Sequence, residues 1–101
     1  MVPVKILGNE VQDAETARRF EREIEEAVEA AAVADVVVCA ILDEGRHAEI
    51  EVEQPGWIER VQIPYPAPPG EVRRVMSRLL RDLGLADAAP ALAWPDLSRG
   101  Y

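Results

Sequence analysis

The run Val36-Val37-Val38-Cys39-Ala40-Ile41-Leu42 constrains this chain more than any other stretch. It is apolar throughout and rich in β-branched side chains. A strand turns successive side chains to opposite faces, so an unbroken apolar run predicts a strand buried on both. With Asp35 at its head, it sits between a long amphipathic pattern and two alternating segments. It is therefore read as the central strand of a small sheet.

Upstream, Pro3 to Leu7 predicts a short first strand with Val4 and Ile6 on one face. Proline lacks an N–H and belongs at a strand start or edge. Gly8-Asn9 is expected to turn the chain. Asp13 then suits the N-cap of a helix running to about Val33, with an end expected near Ala34. Ala17, Phe20, Ile24, Ala27, Val28 and Ala31 form its apolar stripe. Arg18, Arg19, Glu21, Arg22, Glu23, Glu25, Glu26 and Glu29 lie opposite. Glu15–Arg19 and Arg22–Glu26 are expected i,i+4 pairs. Strand, helix and strand make a βαβ unit, whose two strands run parallel.

Downstream, Asp43-Glu44-Gly45-Arg46 predicts a hairpin turn, and His47 to Gln54 alternates strictly. Ala48, Ile50 and Val52 face one way; His47, Glu49, Glu51 and Glu53 face the other. Pro55-Gly56 signals a second turn before a fourth strand, Trp57 to Tyr65. Val61, Ile63 and Tyr65 are expected on one face of it, and Ile58, Arg60 and Gln62 on the other. Pro64, Pro66, Pro68 and Pro69 predict a stiff, extended link. Gly70-Glu71 opens a second helix with Val72, Val75, Met76, Leu79, Leu80 and Leu83 as its stripe, and Gly84 stands where a C′ glycine ends it.

The expected fold is α+β, in the order β-α-β-β-β-α. Two helices cover one face of a four-stranded mixed sheet, and an irregular tail follows. Residues 1–85 form one domain, and residues 86–101 pack on it or on a partner. Two helices leave the second face of the apolar strand uncovered. The tail, a second copy or another protein is needed there, and this is the best functional clue in the chain.

Composition narrows the partners. With Lys+Arg 11 against Asp+Glu 19, the net charge of −8 repels a nucleic-acid duplex or an anionic membrane overall. No apolar run approaches the ~18 residues of a membrane span. The first residues lack the basic and apolar regions of a signal peptide. One cysteine permits no internal disulfide, so a reducing cytoplasm is the expected compartment. All the basic residues but Lys5 are arginines and alanine is abundant, a bias associated with GC-rich bacterial genomes.

Each candidate for chemistry has a plainer reading beside it. His47, Glu49, Glu51 and Glu53 share a strand face, but neighbours there are nearly 7 Å apart, too far for one strand to complete a metal shell. The glutamates of the first helix lack the pocket that a catalytic carboxylate needs. Cys39, mid-strand, is expected to pack as a small hydrophobe. Ser77 and Ser98 sit in no nucleophile elbow. No dinucleotide fingerprint, phosphate loop or His/Cys metal pattern occurs, so no cofactor or metal is expected. Arg73, Arg74, Arg78 and Arg81 make the second helix basic on its exposed side, fit for phosphate, for an acidic partner or for pairing with the first helix. Trp57 is expected at the core's edge. In the tail, Trp94, Leu97 and Tyr101 are spaced large apolar groups of the kind that anchor contacts.

Residues 3–84 are similar in strand order to ribosome-hibernation factors and, without the first strand, to double-stranded-RNA-binding domains. Those families bind RNA through basic surfaces; the resemblance is one of topology and assigns no residue of this chain. The opening Val4-Lys5-Ile6-Leu7-Gly8 followed by a helix also resembles small thioredoxin-like redox proteins. Their paired cysteines would fall near Asn9 to Asp13, where this chain has none, and Asp43 to Arg46 leaves no room for that fold's second helix. Redox activity is excluded on those residues.

The leading expectation is a small, acidic, non-catalytic protein–protein interaction or accessory module that self-associates. Trp94, Leu97, Tyr101, Arg74, Arg78 and Arg81 are its partner-binding candidates. The alternatives are a ribosome or nucleic-acid factor acting through the arginine helix, and an enzyme whose site forms only between subunits. Nothing in the sequence selects a small-molecule ligand.

Overall fold

The computed structural model describes residues 3–86. In order, they form β1 (Val4–Asn9), α1 (Ala14–Ala31), β2 (Val37–Asp43), β3 (His47–Gln54), β4 (Trp57–Pro64) and α2 (Glu71–Asp82). The sheet order is β1-β2-β3-β4. β1 and β2 are parallel, as the βαβ reading requires, and the remaining pairs are antiparallel hairpin neighbours. The α+β expectation holds in order and type.

Both helices lie on one face. From β2, Val37, Cys39 and Ile41 point into that layer; from β3, Ala48, Ile50 and Val52; from β4, Ile63. They meet Phe20, Ile24, Ala27 and Val28 of α1 and Val72, Met76, Leu79 and Leu80 of α2. Each fully buried large side chain contributes roughly 1.5–3 kcal/mol before entropy is subtracted.

Several boundaries differ from expectation. Gly8 and Asn9 do not turn the chain; β1 continues through them, with one extra residue between Ile6 and Asn9 relative to β2. Asn9 holds this end in place. Its side chain donates to the Ala17 carbonyl (3.0 Å) and to Glu21 (2.9 Å), and accepts from the Val11 N–H (3.1 Å). α1 starts as expected, with Asp13 accepting from the Thr16 N–H (2.9 Å) and hydroxyl (2.7 Å). These two bonds lower the Asp13 pKa. The helix stops at Ala31, earlier than expected, because Ala32 turns left-handed (φ 53°) and donates its N–H to the Glu29 carbonyl. β4 ends at Pro64, so Tyr65 lies outside it. Residues 65–70 bend and turn rather than extend, and the Ala67 carbonyl accepts from Arg19 (2.7 Å). Glu15–Arg19 does not form: Arg19 pairs with Glu23 (3.3 Å) and stacks over Phe20 (5.5 Å).

α2 ends in the expected glycine motif. Gly84 takes a left-handed conformation (φ 72°). Its N–H reaches the Arg81 carbonyl, and the Leu85 N–H reaches that of Leu80, which satisfies carbonyls the helix would leave open.

Glu23 departs furthest from its expected place. It belongs to no solvated face: it is 4% exposed, the one charged residue in the core among those described. Gly70, the N-cap of α2, has no side chain to cap with. Glu23 supplies that cap from α1, accepting from the N–H groups of Gly70 (3.0 Å) and Arg73 (3.1 Å). Burial alone would raise its pKa, but the two N–H donors and Arg19 together outweigh burial and lower it.

Candidate functional site

The alternation that buries Val37, Cys39 and Ile41 sends Val38, Ala40 and Leu42 to the opposite face of β2. No element among residues 3–86 covers that face. Leu7 (62% exposed), Val36 (61%) at the foot of β2, and Ile58 (44%) of β4 are the large hydrophobic residues most open there and at its border. Leu7, Val38, Ala40, Glu51, Glu53 and Ile58 bound a shallow depression of about 70 Å³, with Cys39 beneath. Its floor is low because Ala40 is small, while Leu7 and Ile58 rise on either side.

The open face is divided by chemistry. Its β1–β2 half is aliphatic apart from Lys5, which stands beside Val38. Its β3–β4 half carries Arg60 between two carboxylates, 2.8 Å from Glu51 and 3.8 Å from Glu49. Glu51 stands directly opposite Arg60 across the strands. The Glu51 hydrogen bond and charge, with Glu49, raise the Arg60 pKa further above its already high value. An apolar strip beside a row of fixed charges is the pattern of a docking surface with a polar rim.

Other candidates from the sequence fall elsewhere. His47 is half-buried in β3, and no three His, Cys, Asp or Glu side chains converge as metal ligands among the described residues. Cys39 is buried, and desolvation with the nearby Glu21 carboxylate pushes its thiol up to about 11, out of the range of a nucleophile. On α2, Arg73 pairs with Glu26 of α1 (3.3 Å), as the pairing with the first helix requires, whereas Arg74 pairs with Glu71 of its own helix (2.8 Å). Arg78 and Arg81 lie on the same exposed side. Trp57 is half exposed at the β3–β4 turn rather than in the core. Trp94, Leu97 and Tyr101 lie outside the described residues.

A cleft of about 470 Å³ opens at the start of α1, lined by Val11, Asp13, Arg19, Asp43, Tyr65 and Pro66 among others. Its size suits a small molecule. Its polar groups are already committed, however: Asp13 caps α1, Arg19 holds Ala67 and Glu23, and Asp43 accepts from the Gly45 N–H. The Tyr65 hydroxyl is buried without a hydrogen-bond partner among the described residues. Desolvation, then the Asp43 charge, raise its pKa.

Sequence reasoning found the open face from the two-sided apolar run but missed two of its features. Ile58 falls on the open side of β4 with Arg60, as its alternation requires, but Leu7 carries no signal beyond its place in a short strand, and the Glu49–Arg60–Glu51 cluster depends on a cross-strand register that no local pattern displays. No family model, curated protein or solved structure matches this chain. Among the described residues no helix is long and apolar enough to cross a membrane.

Proposed function

We propose that this chain is a non-catalytic interaction module that associates with protein through the open face of its sheet, a second copy of itself being the first partner. The observation that supports this most is the aliphatic strip of Leu7, Val38, Ala40 and Leu42, uncovered in a chain whose opposite sheet face carries the hydrophobic core. Leaving such a strip in water forfeits burial worth roughly 25 cal/mol per Å². The arginine side of α2 supports a nucleic-acid reading less well, since Arg73 and Arg74 already face carboxylates.

Light scattering of the full chain tests this reading. A dimer or larger assembly is expected, dissociating when Val38→Glu places a charge on the strip. A wild-type monomer across micromolar concentrations would overturn it.

A further inference from the structure

Strand register lays out the open face in rows. Lys5 pairs with Val38. One step on from the Cys39–Val52 pair, Val38 stands level with Glu53, whose own partner on β4 is Ile58. The next row holds Leu7, Ala40, Glu51 and Arg60. Two pairs of features in these rows have no use within one chain. Leu7 stands 62% exposed beside the depression of about 70 Å³ over Ala40. That depression is far below the ~300 Å³ at which small-molecule sites begin, so it suits a single side chain. Lys5 and Glu53 enter no ion pair among the described residues, whereas Arg60 holds Glu49 and Glu51. Val38 lies between Lys5 and Glu53, which are two strand spacings or roughly 10 Å apart.

A knob and a hole on one patch, with one unpaired charge of each sign, suit a two-fold interface. There, each residue meets a different residue of the partner, and the contact occurs twice. Two arrangements keep the strands of the two sheets aligned. With the axis across the strands, β3 lies over the partner's β3. The two rows of Glu49, Glu51 and Glu53 then face each other at about 10 Å, which is repulsive. With the axis along the strands, between β1 and β2, each β1 lies over the partner's β2. The glutamate rows then fall on opposite flanks, past the partner's edge and in water, so the net charge of −8 on each copy is kept apart where it is densest. Rows stay level in this arrangement. Leu7 comes down over the partner's Ala40, and Lys5 comes beside the partner's Glu53.

We infer that two copies pack open face to open face about an axis running along the strands, with Leu7 of each filling the depression over the partner's Ala40 and Lys5 of each pairing with the partner's Glu53. This rests on the self-association proposed above and specifies its geometry.

Charge exchange between full-length chains tests it, read as dimer dissociation constants by analytical ultracentrifugation. Lys5→Glu and Glu53→Lys both change exposed positions and leave the core untouched. Each variant alone is expected to dissociate about tenfold more readily than wild type, because both of its cross-copy contacts become like-charged. An equimolar mixture is expected to recover wild-type affinity. In the mixed dimer the two substituted positions attract each other, and the unsubstituted Lys5 and Glu53 form the second contact. A mixture no tighter than its components, or single variants as tight as a dimeric wild type, would overturn this geometry and leave self-association standing. A wild-type monomer would overturn both. Leu7→Ala is expected to raise the dissociation constant about a hundredfold, since two leucines leave the interface together. An unchanged constant would overturn Leu7 as the knob.

Discussion

The two faces of this sheet are made by the same strands and solve opposite problems. On the covered face, Cys39, Ile41, Ile50, Val52 and Ile63 meet two helices and lose nearly all contact with water. On the open face, the intervening residues of those strands meet no described element, and the charged row of β3 is held by Arg60 across the sheet. The covered face makes the domain stable; the open face leaves aliphatic side chains in water. A polar group is tolerated on the covered side only with full hydrogen bonding, as Glu23 shows. On the open side, three carboxylates stand in a row with water to solvate them.

The sharpest test of this contrast compares adjacent residues of β2. Ile41→Ala, on the covered side, is expected to cost about 2–5 kcal/mol in urea denaturation. Leu42→Ala, on the other, is expected to cost about 1 kcal/mol. Equal losses would erase the distinction between the faces.

Glu23 probes the covered layer's tolerance of charge. Glu23→Ala is expected to cost about 1–3 kcal/mol, because it leaves the part-buried N–H groups of Gly70 and Arg73 without their acceptor. The folded chain holds this carboxyl below its unfolded pKa. Its contribution is therefore present above the ordinary glutamate range and is lost as pH falls through the folded value. Glu23→Gln is expected to flatten the acid side of the stability profile. An unchanged acid limb would show that Glu23 is not the group responsible.

Cys39 offers a kinetic probe of the same layer. A thiol reagent at neutral pH is expected to modify it only at the rate at which the sheet opens, so labelling should accelerate with denaturant in step with unfolding. Rapid labelling in native buffer would mean that the depression over Ala40 admits the reagent from the open side. Tyr65→Phe should have the smallest effect. Removing a buried hydroxyl that has no partner is expected to leave stability level or raise it by less than about 1 kcal/mol. A loss of that size or more would reveal a water or other group bound in the cleft beside it.

Much of this architecture was legible before any coordinates. The 3.6-residue stripe of Phe20, Ile24, Ala27 and Val28, the strict alternation of 47–54 and the Gly84 stop are local signals, each expressed within a few residues. Where local signals were weak, boundaries slipped. The helix end at Ala32 carries no glycine, and Asn9 continues β1 because its amide finds partners on α1. Glu23 was misplaced because helical periodicity assigns it to the edge of the charged side, three residues from Phe20. A glycine at the α2 N-cap, which cannot cap by side chain, was the signal that an acceptor must come from elsewhere.

By itself the sequence determined which stretches form strands and helices, which way each turns its apolar side, and that one strand is apolar on both faces. Periodicity and turn chemistry decide these within a short window. Tertiary structure alone decided that α1 caps α2 and that Arg60 bridges two glutamates of the neighbouring strand. Those outcomes join residues far apart in the chain, such as Glu23 and Gly70, and depend on how whole elements settle against each other.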